Sequence, residues 1–305
     1  MLISTHAMHA TLTFPFTPVT WNTVSDSSFS LSNINAIHYL SSADQYVIVG
    51  NNGKIATSVD TQTWVPRFSG FSENSIFAIG YGNNQYVIGG SSGKISTSPD
   101  GINWTPRSSG FGATPILAIT YSPSASLWIA AGGAGKLATS IDGIDWVLRT
   151  SSFGATYING LWASNSIIVA VGYDGKLATS TNGTTWTQRT SSFGVSSIFA
   201  VKSTPGGNFV AVGEAGKIAA SNNGITWTQT FPTSSFGAST IRAIDVSADG
   251  TYIAGGASGK LATSFDATTW IQRTSGFGTS IINGVYIDNN NGLAVGQSGR
   301  ITYSV

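Results

Sequence analysis

The chain has 305 residues, a net charge of +1 and only 9% charged residues, with nine Trp and 37 Gly. Near-neutrality without a Lys or Arg cluster argues against nucleic acid as a partner, and the absence of Cys excludes disulfides and thiolate metal sites. No run approaches the roughly 18 apolar residues of a membrane helix, so membrane insertion is not expected either.

Residues 1–16 have neither a basic start nor an unbroken apolar run, so no secretory signal is expected and the segment reads as a tail. Residues 17–24, T-P-V-T-W-N-T-V, read as an isolated strand carrying Trp21. Beyond them the chain repeats itself, and a period of roughly 20–50 residues marks a solenoid, propeller or array. The string G-x-x-G-K-[IL] places basic residues at Lys54, Lys94, Lys136, Lys176, Lys217, Lys260 and, as G-R-I, Arg300, at intervals of 40, 42, 40, 41, 43 and 40 residues. Ten residues after each lysine stands a tryptophan, at Trp64, Trp104, Trp146, Trp186, Trp227 and Trp270. A loop phenylalanine follows each, at Phe71, Phe111, Phe153, Phe193, Phe236 and Phe277.

Within a period, runs such as I-L-A-I-T-Y, L-W-I-A-A-G, K-L-A-T-S and D-W-V-L-R-T alternate with Gly-rich turns, giving four strands and no helical pattern. Seven such units make an all-β fold, a seven-bladed β-propeller with four-stranded antiparallel blades. Residues 281–305 hold three strands and stop before the tryptophan due ten residues after Arg300. The strand at 17–24 therefore completes that last blade and closes the ring, which removes an open sheet edge. The propeller spans 17–305 as one domain.

Between the third and fourth strands lies S-x-[DN]-G-x-x-W, with Asp100, Asp142, Asn182 and Asn223, and without its glycine at Asp60 and Asp266. A short Asp or Asn side chain can accept from the turn's own amides, and the glycine suits a positive φ. Recurrence in blade after blade assigns these residues to architecture and not to acid catalysis. G-x-x-G-K lacks the longer glycine spacing, the Ser or Thr after Lys and the helix of a phosphate loop, so it reads as a hairpin turn. Arg67, Arg107, Arg149, Arg189 and Arg273 are expected to point the same way as the lysines. Twelve of the 14 basic residues then gather toward one face, opposite the Asp turns; such polarity can orient a molecule on an anionic partner.

Specificity in a repeat protein belongs where its units differ. The innermost strand aligns as I-x-[AG]-[ILV]-x-x in all seven blades, and its second position reads Asn35, Phe77, Leu117, Asn159, Phe199, Arg242 and Asn283. Arg242 with Asn35, Asn159 and Asn283 offers polar donors beside Phe77 and Phe199, a mixture that suits sugars. The fifth position gives a second candidate set: His38, Trp162, Lys202, Asp245 and Tyr286. No motif calls for a metal or a cofactor: His6, His9 and His38 lack ligand spacing.

The S-x-[DN]-G-x-x-W turn resembles the Asp-box, or bacterial neuraminidase repeat, shortened by one residue, and six blades carry it. The resemblance implies a propeller, and in sialidases an arginine cluster, a Tyr nucleophile with its Glu, and an Asp acid/base. Here Glu occurs only at Glu73 and Glu214, and five of the seven arginines belong to the repeat. A close carboxylate pair, as glycoside hydrolysis needs, is also missing from both inner columns. Near-identical Gly-, Ser-, Thr- and Asn-rich blades also resemble propeller modules of bacteriophage tail and fibre proteins. That resemblance implies a non-catalytic virion protein made in the host cytoplasm, with host cell-surface glycan or other virion proteins as partners. The blade pattern resembles photosystem-assembly factors as well, which implies a protein-binding scaffold.

Overall fold

The computed structural model describes residues 20–40, 43–230, 235–288 and 291–304. The expected tail, 1–16, and the first residues of the expected strand at 17–24 lie outside the described residues. Seven four-stranded antiparallel sheets follow one another around a ring. Blade 1 comprises Ile34–Leu40, Gln45–Gly50, Lys54–Ser58 and Val65–Phe68, in order from the channel outward, and blades 2 to 6 repeat this plan. Blade 7 takes Ile282–Ile287, Gly292–Gly296 and Ile301–Ser304 from the end of the chain and Trp21–Thr23 from its beginning. Trp21 pairs with Ser304, Asn22 with Tyr303 and Thr23 with Thr302. Against blade 1, Leu293, Val295 and Ile301 share one core with Phe29, Ile34 and Tyr46, so the ring closes by packing as well as by the composite sheet.

The repeated residues hold blade to blade. All seven loop phenylalanines, Phe29 included, are fully buried. After blade 1, Ser69 Oγ donates to Gly53 O at 2.6 Å and accepts from Phe71 N at 3.0 Å, while Lys94 of blade 2 donates Nζ to Phe71 O at 3.1 Å. The connecting loop is thereby bolted to the blade it leaves and the blade it enters. The same lysine bond recurs from Lys54, Lys136, Lys176, Lys217 and Lys260, and Arg300 supplies it in blade 7. The recurring hairpin lysines are thus half-buried ties to carbonyl oxygens and not a solvated positive field.

The arginines correct the expected polarity. Arg67 stands opposite Ile55, yet its Nε donates to Thr57 Oγ1 at 3.0 Å, so the side chain folds back toward the Asp turn. Arg107, Arg149, Arg189 and Arg273 do the same to Thr97, Thr139, Thr179 and Thr263. A neighbouring threonine hydroxyl captures each guanidinium before it reaches the hairpin face.

In the Asp turns one carboxylate oxygen caps two successive amides. Asp60 Oδ1 accepts from Thr63 N at 2.7 Å and Gln62 N at 2.9 Å, and Asn182 makes the same pair with Thr185 and Thr184. The tryptophan three residues after that glycine position donates Nε1 back to its carbonyl, as in Trp186 to Gly183 O at 3.1 Å. The amides of Thr63 and Gln62 hold the Asp60 carboxyl down to about 2. For Asp100 burial opposes the shift, but the amides of Asn103 and Ile102 outweigh it and the value again falls to about 2. Asp142 and Asp266 are lowered as well. A carboxyl depressed below its unfolded value near ~4 stabilises the fold above that pH, and the contribution is lost as pH falls toward about 2. Asn182 and Asn223 form the turn without a charge. Replacing Asp60, Asp100, Asp142 and Asp266 by Asn therefore leaves the neutral-pH fold intact and flattens the acid limb of the stability curve; an acid limb as steep as the wild type's contradicts this role.

Candidate ligand-binding mouth of the channel

A β-bulge shapes the channel wall. In the six blades other than blade 2, as in blade 2 itself, pairing of the inner strand skips one residue: Ile34 pairs with Gly50 and Ala36 with Val49, leaving Asn35 out of register. A bulge re-aims the side chain it carries. The bulged residue is always the second-position residue, so that variable column turns toward the channel end on the hairpin face. There Asn35, Phe77, Asn159, Phe199, Arg242 and Asn283 line one cavity of about 500 Å³, and none of its twelve lining residues is acidic.

The asparagines serve two masters. Each gives one amide hydrogen to the next blade, Asn35 to Ile76 O at 2.8 Å, Asn159 to Ile198 O at 3.0 Å and Asn283 to Ile34 O at 2.9 Å. Among the described residues no donor reaches their amide oxygens, which remain free acceptors. Arg242 is exposed, and its guanidinium carbon lies 5.5 Å from the centre of the Phe199 ring. Its isolation is what distinguishes it. Of the 14 basic residues, seven bond loop carbonyls, five bond threonines and Lys202 pairs with Asp245. Arg242 alone has neither a hydrogen-bond nor an ion-pair partner among the described residues.

The fifth-position side chains reach toward the next blade, and His38, Trp162 and Lys202 also line the channel, in a cavity of about 400 Å³ shared with Asn35, Phe77, Asn159, Phe199, Arg242 and Asn283. Lys202 Nζ lies 3.1 Å from Asp245 Oδ1 and 4.1 Å from the centre of the Trp162 ring. Trp162 Nε1 donates to Ser203 Oγ at 2.8 Å, and Asp245 Oδ2 accepts from Ile287 N at 3.1 Å. These three residues thus stitch blades 4 to 7. Tyr286 stands apart, packed on Tyr39 and Tyr46 of blade 1 with ring centres 5.2 and 5.5 Å away. His38 packs edge-on to Tyr86; burial, with the Lys202 charge, pushes its pKa down to about 4, so it is neutral at neutral pH.

Two further variable columns flank the mouth. In every blade the first residue of the hairpin turn donates its N–H to the residue preceding the inner strand, as Tyr173 N does to Tyr157 O at 3.1 Å. The backbone therefore sets two side chains next to each other, and in blade 4 these are tyrosines, stacked at 5.3 Å and both about two-fifths exposed. In sequence they are marked by variation from blade to blade at the position before the inner strand and at the first position of the hairpin turn.

A larger cavity of about 760 Å³ lies on the opposite face between blades 5 and 6. Blades 1 to 4 press Gln45, Gln85, Leu127 or Ile167 against the turn glycine of the following blade. Asn208 holds that place in blade 5, and the facing turn of blade 6 carries Ala267 in place of the glycine. The cavity's two carboxylates are committed, Asp266 to the amides of Thr268 and Thr269 and Asp249 to the Ser247 hydroxyl and the Thr251 amide, and no basic residue lines it.

No protein-family model matches the chain, and no curated protein matches it. Solved structures do. YCF48 bound to a D1 peptide aligns with TM-score 0.73 at 18% identity, over 95% of this chain and 96% of that one. YCF48 from Cyanidioschyzon merolae gives 0.73 at 16%, over 93% and 98%. Catalytically inactive virginiamycin B lyase from Staphylococcus aureus, with quinupristin, gives 0.81 at 10%, over 94% and 99%. At such identities the likeness is one of fold, and by that likeness and its own seven sheets the chain is a seven-bladed β-propeller.

Proposed function

We propose that this chain is a non-catalytic bacteriophage tail or fibre protein that holds a host-surface glycan at the hairpin-face mouth of its channel. The observation that carries the reading is Arg242, the one basic residue without a hydrogen-bond or ion-pair partner among the described residues, set over Phe199 in a mouth lined with amides and aromatic rings. Such a lining offers hydrogen bonds to hydroxyls and a face for C–H groups. The Asp-box-like turns and the low-charge repeat style support a virion module, and many copies on one particle would raise weak single-site affinity by avidity. Against hydrolysis stands the commitment of Asp245 to Lys202 and the Ile287 amide, which leaves no free acid there to act on a glycosidic bond. A second reading, a scaffold that binds a protein segment, is favoured by the YCF48 structure with its D1 peptide.

Adsorption of the purified protein to host cells separates the two. The glycan reading predicts that adsorption survives protease treatment of the cells, is lost after periodate oxidation of their sugars, and drops at least about tenfold in Arg242→Ala. Adsorption abolished by protease and indifferent to periodate would favour the scaffold reading.

A further inference from the structure

The two tyrosines of blade 4 continue into the mouth. Tyr157 stacks on Tyr173 with ring planes 20° apart, Tyr173 meets Phe199 edge-on at 6.4 Å, and Phe199 lies beneath Arg242 at 5.5 Å. No two successive members are more than 6.4 Å apart, so the four form one continuous track across blades 4, 5 and 6. The other blades break it. At the two positions of the tyrosine pair they carry Asn33 and Asn51, Ser75 and Ser91, Pro115 and Gly133, Ser197 and Glu214, Thr240 and Ala257, or Ile281 and Gln297.

The chemistry of the track is specific. An exposed aromatic pair offers a face to the C–H side of a sugar ring. A guanidinium without a carboxylate partner, beside a ring, presents a fork to a planar anion. No acid lines the cavity to repel that anion. We infer that the mouth takes an oligosaccharide bearing an anionic substituent, a carboxylate or sulfate held by Arg242, with the adjoining sugar ring laid on Tyr173 and Tyr157. This rests on the reading of the mouth as a glycan site.

The test is a printed array of matched carboxylated, sulfated and neutral oligosaccharides, with acidic peptides alongside, probed with wild type, Arg242→Ala and Tyr157→Ser/Tyr173→Ser. The tyrosine substitutions keep the fold, because blade 2 carries Ser75 and Ser91 at the equivalent places. The wild type is expected to bind acidic members at least about tenfold more tightly than their neutral counterparts. Arg242→Ala should erase that preference, and the double serine variant should weaken acidic binding by about tenfold while keeping the preference. Whether carboxylated or sulfated members respond identifies the substituent. Equal binding of acidic and neutral members, or a preference that survives Arg242→Ala, overturns the inference and leaves the glycan reading standing. Binding of acidic peptides alone, or of nothing on the array, overturns both.

Discussion

A chain that starts at Ser25, lacking the outer strand of blade 7, is expected to melt at least about 10 °C below the full chain. Three backbone pairs to Ser304, Tyr303 and Thr302 vanish with Trp21–Thr23, as does the bond from Val24 N to Ile301 O at 3.0 Å. Trp21 also fills space that no other residue can. At the position where the other blades carry Tyr46, Tyr86, Trp128, Ile168, Phe209 and Tyr252, blade 7 has Gly292, and a Cβ there would lie 2.9 Å from the Trp21 ring. Removing a large, partly buried aromatic costs about 3 kcal/mol, and the lost strand pairing brings the total to roughly 5 kcal/mol. At roughly 2 °C or more per kcal/mol, that is the stated shift. The truncation also bares the edge of Ile301–Ser304, so light scattering should rise on heating. Trp21→Ala alone should reproduce more than half of the loss. Unchanged melting in the truncated chain would show that blade 7 does not depend on the N-terminal strand.

The second large effect concerns Gly175, at the hairpin beneath the mouth. Its φ of +63° lies in the left-handed region, and a Cβ would stand 2.0 Å from Gly194 O, closer than any real contact. Both faults fall on rigid backbone, because the loop around Gly194 is fixed by Phe193 and by Lys217 bonded to Phe193 O at 2.8 Å. Gly175→Ala is expected to cost roughly 3 kcal/mol or more and to displace Tyr173, two residues away. Asp174→Ala is the control. Asp174 also has a positive φ, but Ala134 and Ala215 occupy the same place in blades 3 and 5 at φ 50° and 54°. That variant should stay within about 0.5 kcal/mol of wild type in denaturant unfolding. Comparable losses in both variants would mean that the glycine is not held by backbone contact.

The blade count and the split blade were legible because recurrence reports structure directly: a residue copied into six or seven blades has the same neighbours in each. Recurrence also assigned Asp60 to the framework, whereas the lysines read as solvated hairpin residues on a basic face, because the carbonyl that Lys54 bonds belongs to a loop 25 residues upstream. The inner strand's variable columns were visible too, but not that the channel brings them together. Alternation along an ideal strand would put positions two and five on opposite faces of the sheet; the bulge after Ile34 and its counterparts resets that phase. His38, Trp162 and Lys202 therefore line the channel with Asn35 and Arg242, while Tyr286 packs in the seam on Tyr39. Tyr157 and Tyr173 lie 16 positions apart and meet only through a backbone hydrogen bond, so no local pattern announces them. The arginine column misled because Thr57 and its equivalents, ten residues upstream, capture the guanidinium.

The position of the bound ligand distinguishes the mouth from the rest of the propeller surface. A crystal structure of the protein soaked with an acidic oligosaccharide from the array is expected to place the anionic group on Arg242 and a sugar ring over Tyr173, inside the cavity of about 500 Å³ on the hairpin face. Ligand density in the cavity of about 760 Å³ between blades 5 and 6, with the mouth empty, would contradict it.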